Sequence, residues 1–191
     1  MLTDRQLEII AVSHDIINNY GIQGFTIKNI AKAIGISEPA IYRHYESKID
    51  ILLAILEDFQ NLSYNMFQNA AVASVSSSEK IALVFRNHFN AFLVRPSLSA
   101  VVFSEEIFRN EETLKNRISQ IMDQNRLILT DIIIMGQQKN EIRTDIEAAE
   151  LALMTMGSLR LLVKKWQMSG SGFKLEEEGE KIIKMIKLLI K

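Results

Sequence analysis

The fold of this chain is decided by residues 24–48, which read GFTIKNIAKAIGISEPAIYRHYESK. Thr26 is a typical helix N-cap, and the apolar residues after it recur with helical spacing: Ile27, Ile30, Ala31 and Ile34. Gly35 ends this short helix, because glycine readily adopts the left-handed conformation found at helix C-termini. A second short helix begins at Ser37 and accommodates Pro39 in its first turn. The spacing predicts a helix-turn-helix, whose second helix enters the major groove of DNA.

The packing of this unit follows from the residues at the crossing of its two short helices. Ala31 lies where the helices would approach closely, so a small side chain is needed there. Ile36 and Ile41 would fill the space between them. An ordinary three-helix unit would need this packing but has no need of an exposed Tyr42 or Lys48. The polar residues therefore favour a DNA-binding role over packing alone.

The same stretch resembles the DNA-binding segment of the TetR family of transcriptional regulators. The resemblance rests on Gly-Phe-Thr at residues 24–26, Gly-Ile-Ser at residues 35–37 and Tyr-Arg-His-Tyr-Glu-Ser-Lys at residues 42–48. The motif covers about a quarter of the chain, and the chain length and helix pattern also fit the family. The resemblance implies a homodimer that binds double-stranded DNA through a palindromic operator. It also implies an all-α body that holds a small-molecule effector.

The resemblance assigns roles to individual residues of the helix-turn-helix. Tyr42, His44 and Lys48 would contact phosphates, and the N-terminal amides of the following helix would assist Lys48. Glu38 would accept a hydrogen bond from a cytosine amine, and Pro39 would pack on a thymine methyl group. The full set of DNA-binding candidates is Thr26, Lys28, Ser37, Glu38, Pro39, Ala40, Tyr42, Arg43, His44 and Lys48.

The charge of the N-terminal region opposes indiscriminate binding to DNA. Residues 1–50 hold five Lys or Arg and six Asp or Glu. Affinity must therefore come from the placement of a few cations and not from bulk charge. We expect modest non-specific binding with a shallow dependence on salt.

The rest of the chain has helical periodicity and no alternating strand pattern of useful length. The predicted fold is all-α, with an N-terminal three-helix helix-turn-helix domain joined by a long helix to a helical ligand-binding and dimerisation domain. Neither Gly nor Pro occurs from residue 40 to residue 95, so this joint is rigid. We expect the domains to comprise residues 1–47 and 48–191. About nine helices are expected, over residues 4–20, 27–34, 38–45, 48–75, 79–94, 98–108, 112–135, 145–166 and 175–190.

The helical body contains candidates for the effector site that the resemblance implies. His88 and Arg126 would be its polar groups, because small-molecule sites are mostly apolar with a few placed polar groups. The scarcity of charge on these helices favours an apolar or aromatic effector. Each aromatic residue also fits an ordinary hydrophobic core, and both interpretations stay open. The candidates are Phe85, His88, Phe89, Phe92, Phe103, Met122 and Arg126.

The last two predicted helices carry apolar stripes that fit the dimer interface. Gly157 lies within the first of them and permits close approach of another helix. Lysines follow the opposite side of the final helix, which is typical of a solvated face. The interface candidates are Leu151, Thr155, Leu159, Leu162, Ile182, Ile186 and Leu189.

Composition excludes several other classes of protein. The chain has 191 residues, a net charge of −1 and 48% hydrophobic residues, which is too apolar for a disordered protein. The absence of cysteine excludes a disulfide scaffold, cysteine-ligated zinc and a cysteine nucleophile. The three histidines lie far apart in sequence, so we expect no metal and no cofactor. No clustered acid–base set or glycine-rich phosphate loop supports an enzyme.

The sequence also bears on location. The chain does not open with a basic segment followed by an apolar one, so we expect no signal peptide. No apolar run approaches the roughly 18 residues that a membrane span requires. We expect a cytoplasmic protein without a membrane partner.

These observations favour a DNA-binding transcriptional regulator, most simply a repressor released from its operator by a small molecule bound in the C-terminal helical domain. The alternative is a DNA-binding regulator without a small-molecule effector, controlled by a protein partner. A filled core without a cavity would favour that alternative.

Overall fold

The computed structural model describes residues 2–104, 107 and 111–191. Within these residues the chain forms nine helices and no strand, which confirms the predicted all-α fold. No helix in the described part is long and apolar enough to span a membrane. Phe108, the predicted end of the sixth helix, lies outside the described residues. The helices are α1 Asp4–Gly24, α2 Ile27–Ile34, α3 Glu38–Tyr42, α4 Lys48–Val72, α5 Ser77–Val94, α6 Pro96–Val102, α7 Glu112–Gln138, α8 Ala148–Met168 and α9 Leu175–Leu189.

Several helix boundaries differ from the prediction, and three of these differences have a local cause. α1 continues to Gly24, but Gly21 interrupts its helical conformation with φ 66° and ψ −175°, a backbone conformation that favours glycine. α3 ends at Tyr42 and not at residue 45, because the next residues turn back and two of their N–H groups donate to the Ile41 carbonyl. α6 begins at Pro96. Proline has no backbone N–H, but the N–H groups of the first helical turn have no partner within the helix, so proline is tolerated there.

The chain divides into two compact units. The first comprises residues 1–59 and 95–118, and the second comprises residues 60–94 and 119–191. α4 and α7 each contribute residues to both units. The functional division expected between residues 47 and 48 stays a prediction.

The core of the first unit is made of branched and aromatic side chains, and α1 packs on both α2 and α6. Burial of each such side chain stabilises the fold by about 1.5–3 kcal/mol relative to leaving it exposed. The residues of this core that are entirely inaccessible to solvent include Ile9, Phe25, Ile30, Ile41, Ile51 and Ile55.

His14 joins α1 to α6 inside the first unit. Its Nδ1 lies 2.8 Å from Oγ of Ser97, a residue that is completely buried. The buried Nε2 of His14 has no hydrogen-bond partner among the residues that the structure describes. Burial lowers the pKa of His14, and the positive charge of Arg95 lowers it further, while Asp58 and Asp15 act in the opposite direction. The ring is therefore held in its neutral form.

The second unit is organised around α5, which packs on α8 and α9. Phe85 and Phe92 of α5 are almost completely buried. At the surface of the same helix, Arg86 donates from Nε to Oε1 of Glu180 on α9 at 2.6 Å and from Nη1 to Oε1 of Glu79 at 2.7 Å. The ion pair to Glu180 fastens α5 to α9 beside the apolar contact.

Candidate DNA-binding and effector sites

The helix-turn-helix has the local geometry that its sequence predicts. The Thr26 side chain accepts a hydrogen bond from the Asn29 N–H at 3.2 Å, which caps α2. Gly35 adopts the left-handed conformation, with φ 80° and ψ 31°, and its N–H donates to the Ala31 carbonyl at 3.0 Å. Ser37 takes the N-cap position of α3 but makes no capping hydrogen bond with its side chain. The chain therefore turns sharply between two short helices.

The orientation of α3 is fixed from beneath by buried contacts. Ile41 is fully buried, and Tyr45 just beyond the helix is also buried. The Gln6 side-chain amide of α1 donates to the His44 carbonyl at 3.1 Å. Burial raises the pKa of the Tyr45 phenol, and its hydroxyl donates a hydrogen bond to the Gln6 carbonyl at 3.5 Å. With one side of α3 held in this way, its other side is free to contact a ligand.

The predicted DNA-binding residues lie on the side of this unit that remains open to solvent. Tyr42 is 50% exposed, an unusual degree for an aromatic side chain that serves packing alone. Thr26, Ala40 and His44 are half-buried. The exposed candidates are Lys28, Ser37, Glu38, Pro39, Tyr42, Arg43 and Lys48. Their contacts with DNA stay a prediction.

The beginning of α4 combines a helix N-terminus with a lysine. The Ser47 hydroxyl caps the helix by accepting a hydrogen bond from the Asp50 N–H at 3.3 Å. The same hydroxyl donates a hydrogen bond to the Asp50 carboxylate at 2.9 Å. The Lys48 ammonium lies 5.1 Å from the centroid of the Phe25 ring. An exposed cation at the positive end of a long helix can bind a phosphate group. Among the described residues, no group of three or more His, Asp or Glu could hold a metal ion.

The structure divides the candidate effector residues among different surroundings. Phe85, His88, Phe89 and Phe92 are buried along α5 in the second unit, whereas Phe103 is buried in the first unit. The other two candidates are much more accessible. The Met122 side chain is 38% exposed, and the Arg126 side chain pairs with Asp123 one turn earlier at 3.7 Å. His88 thus lies in the core of the second unit, while Arg126 engages a partner near the surface.

A cluster of three buried polar side chains surrounds His88, and sequence reasoning missed two of them. Ser63 of α4, His88 of α5 and Asn125 of α7 form this buried polar cluster, and all three are at least 95% buried. Ser63 Oγ lies 3.1 Å from His88 Nε2, and the Asn125 amide donates to Ser63 Oγ at 2.7 Å. The rings of Phe67 and Phe92 lie 5.3 and 6.3 Å from the His88 ring. The cluster therefore links three helices within an aromatic core.

The sequence carries a signal for these two residues. Ser63 stands midway between Phe59 and Phe67 at four-residue spacing, and Asn125 falls between Ile121 and Leu129 at the same spacing. A polar residue inside an apolar stripe of a helix is predicted to be buried. Burial lowers the pKa of His88, and the Val84 carbonyl opposes this shift, so the cluster holds a neutral imidazole.

Comparison with known proteins decides the family. A sequence model described as bacterial regulatory proteins of the tetR family matches residues 9–55. A second model, a TetR C-terminal domain described as the C-terminal region of YsiA-like protein, matches residues 57–190. The chain belongs to the TetR family. It is therefore a DNA-binding transcriptional regulator, and this membership confirms the expectation that it is not an enzyme.

Similar TetR-family proteins include regulators of fatty acid metabolism. The fatty acid metabolism regulator protein of Bacillus subtilis (strain 168) is 22% identical over 182 residues, which cover 95% of this chain and 93% of the relative. The fatty acid degradation regulator FadR from Bacillus halodurans superposes with a TM-score of 0.86 at 18% identity, covering 98% of this chain and 96% of the other. FadR from Bacillus subtilis in complex with stearoyl-CoA gives a TM-score of 0.81 at 22% identity, covering 94% and 96%. These similarities establish the fold.

Except for Leu189, the large apolar residues that this TetR-family chain leaves exposed on α8 and α9 are not those of the predicted interface stripe. Leu151, Thr155 and Ile186 are buried within the chain itself, because the second unit uses that stripe for its own core. Leu159, Leu162 and Ile182 are half-buried, and Leu189 is 54% exposed. The large apolar side chains left exposed on α8 and α9 are Leu153, Met154, Leu161, Met168, Met185, Leu188 and Leu189. The location of the dimer interface stays a prediction.

Proposed function

We propose that this TetR-family regulator is a dimeric repressor that binds a palindromic operator and is released from it by an apolar effector. The observation that carries this proposal is the exposed side of α3 and its C-cap, where Tyr42 and Arg43 face solvent while Ile41 is fully buried. Two such helices in a dimer would contact half-sites about 34–36 Å apart, or somewhat further. The apolar side chains left exposed on α8 and α9 support the dimer.

The proposed effector is a fatty acyl thioester. Two similar proteins are regulators of fatty acid metabolism or degradation, and one similar structure contains stearoyl-CoA. The second unit buries Phe85, Phe89 and Phe92 on a single helix, which supplies the apolar surroundings that an acyl chain requires. Each methylene that leaves water contributes about 0.8 kcal/mol to binding.

Release requires an effector that binds more tightly to the DNA-free arrangement than to the DNA-bound one. α4 runs unbroken from Lys48, a candidate phosphate contact, to Val72 in the body. A displacement of this helix by the effector would move Lys48 and alter the separation of the two recognition helices. The coupling is reciprocal, so operator DNA must weaken effector binding by the same factor.

The DNA-binding part of the proposal is tested by selection from a random duplex pool. We expect the protein to enrich a palindromic sequence, and the Tyr42→Ala, Lys48→Ala double variant to lose that enrichment. Tyr64→Ala with Lys181→Ala is the matched control, because it removes an exposed tyrosine and an exposed lysine from the second unit. Enrichment that survives in the first variant, or a sequence without two-fold symmetry, contradicts the proposal.

The effector part is tested by titrating stearoyl-CoA into a complex of the protein with the selected duplex. We expect fluorescence anisotropy of the labelled duplex to fall as DNA is released. Tighter DNA binding on addition of stearoyl-CoA would exclude release. A complex that does not respond to acyl thioesters of any chain length would favour control by a protein partner.

A further inference from the structure

We propose that the side-chain amide of Asn125 binds the carbonyl oxygen of the effector. This inference rests on the proposed function, since it names the group that recognises the effector within the second unit. The observations that carry it are the direction of the hydrogen bonds in the buried polar cluster and the unused hydrogen-bonding capacity of Asn125.

The direction of the hydrogen bonds starts at the His88 ring. His88 Nδ1 lies 2.9 Å from the Val84 carbonyl oxygen, which can only accept, so Nδ1 carries the proton of the neutral ring. Nε2 is then an acceptor and receives the Ser63 hydroxyl proton. Ser63 Oγ in turn accepts from the Asn125 amide nitrogen. This sequence of donors and acceptors fixes which side of the Asn125 amide faces Ser63.

Among the described residues, Asn125 makes one side-chain hydrogen bond, and it is 95% buried. A primary amide has two N–H donors, so one donor of Asn125 has no partner in the described part of the chain. Buried polar groups are nearly always paired in native proteins, and an unpaired one destabilises the fold. A leucine would suit this position of α7 better if packing were its only role. The unused donor therefore points to an external acceptor.

The chemistry of the cluster selects the class of acceptor. All three members are uncharged, and the rings beside them belong to Phe67 and Phe92. No cation takes part in the hydrogen bonds of the cluster. An anionic carboxylate would lose its hydration there without gaining a counter-ion. The cluster therefore favours the neutral carbonyl of a thioester or ester over the head group of a free fatty acid.

The buried polar cluster would also connect the bound effector to helix α4. Ser63 belongs to α4, and its hydroxyl is the link between Asn125 on α7 and His88 on α5. An effector oxygen bound to the second N–H of Asn125 would be joined through this amide to Ser63. The recognised group and the helix that begins at Lys48 would thus be connected through Asn125.

The test compares Asn125→Leu with Gln124→Leu in the full-length protein. Gln124 is the matched control, because it is an amide on the same helix that bonds to α4 through Gln60 at 2.9 Å and is only half-buried. We would measure the dissociation constants for stearoyl-CoA and for stearate, the affinity for the selected duplex, and the melting temperature. Asn125→Ala adds no bulk and replaces the leucine variant if that variant does not fold.

We expect Asn125→Leu to weaken stearoyl-CoA binding by at least tenfold and to reduce the preference for stearoyl-CoA over stearate. Affinity for the duplex should stay within twofold, and the melting temperature should be unchanged or higher. Gln124→Leu should bind stearoyl-CoA within about threefold of the native protein. Ser63→Ala should lower the melting temperature, because it leaves His88 Nε2 unpaired, while stearoyl-CoA still binds.

Unchanged stearoyl-CoA binding in Asn125→Leu would overturn the inference and leave the proposed function intact. So would a loss of binding that accompanies an equal loss in Gln124→Leu, since the effect would then not be specific to Asn125. A native protein that binds neither probe but still selects DNA would overturn both the inference and the proposed effector class.

Discussion

Gly179 of α9 lies against the ring of Phe89 on α5, so closely that a Cβ at this position would stand 2.6 Å from Cδ2 of Phe89. Both residues are buried. The absence of a side chain at Gly179 is what allows α5 and α9 to meet here. Phe89, a candidate for the effector site, is therefore also part of the packing between these two helices.

Gly179→Ala should destabilise the protein by about 1–3 kcal/mol, because the added methyl group overpacks a closed contact. Gly157→Ala is the control for packing within one chain, since it lies in an exposed helix interior where a Cβ would meet no described atom of that chain within 4 Å. Helix propensity alone predicts a gain of about 0.5–1 kcal/mol for that control. Urea denaturation measures both changes, and a Gly179→Ala variant as stable as the native protein would contradict the packing described.

Gly35→Ala should destabilise the first unit by about 1–2 kcal/mol through backbone strain alone. The positive φ of 80° is the cause, since no atom of the described residues lies within 4 Å of the added methyl group. Gly35→Asn should destabilise the protein less than Gly35→Ala, because asparagine tolerates the left-handed conformation. Denaturation and duplex affinity are the two measurements. Equal losses in the two variants would show that the conformation is not the reason for glycine.

Stability should fall as the pH is lowered from 6.5 toward 5. Burial lowers the pKa of His14 and of His88 from the ordinary value of 6.5. The unfolded chain therefore gains protons first, and the stability that is fully present above pH 6.5 is lost as the pH falls toward the folded pKa values. Each histidine contributes at most about 1.4 kcal/mol per pH unit.

Between pH 6.5 and 5, the change in stability should come from the histidines and not from the carboxylates. The Glu79 and Glu180 carboxyls have pKa values held below 4.5 by their ion pairs, so their contribution is lost only at lower pH. His14→Phe should reduce the pH dependence between 6.5 and 5, as measured by urea denaturation at several pH values. An unchanged slope in that variant would show that His14 is not held neutral.

The affinity for the selected duplex should depend only moderately on salt. Lys28, Arg43 and Lys48 are the exposed cations among the candidate contacts, which makes six per dimer. A plot of log Kd against log salt concentration should then have a slope no steeper than about 5. Titrations between 50 and 300 mM KCl would measure it, with Lys28→Ala expected to reduce the slope. A much steeper native slope would indicate phosphate contacts beyond this set.

Leu161→Glu should weaken the dimer, because Leu161 is 71% exposed on α8, and α8 and α9 leave other large apolar side chains exposed as well. Val94→Glu is the control, since Val94 is 70% exposed at the end of α5. Analytical ultracentrifugation over a range of concentrations distinguishes monomer from dimer. A Leu161→Glu variant that stays dimeric while Val94→Glu dissociates would place the interface elsewhere.

The parts of the fold that could be predicted are those set by neighbours in sequence. Thr26 caps α2 through an amide three residues away, and Gly35 ends it through its own backbone conformation. Ser47 and Asp50 start α4 by the same kind of local contact. Such signals act within one helical turn, so the sequence contains all the partners.

The parts that could not be predicted depend on which helices meet. Asn125 and Ser63 are 62 residues apart, and only the packing of α7 against α4 makes them partners. The apolar stripes of α8 and α9 gave no means of telling the core from an interface, because both surfaces need the same side chains. Leu151 and Leu161 illustrate this, since one is buried and the other is exposed on one helix.

The charge balance of residues 1–50 has a consequence for how the regulator is distributed in a cell. The chromosome offers about 10⁶–10⁹ competing sites, and a strongly basic protein would spend most of its time on them. With five cations against six carboxylates, we expect this region to be poorly retained by such sites. We expect most molecules to be unbound between operator visits, so operator occupancy should follow the copy number of the regulator almost directly.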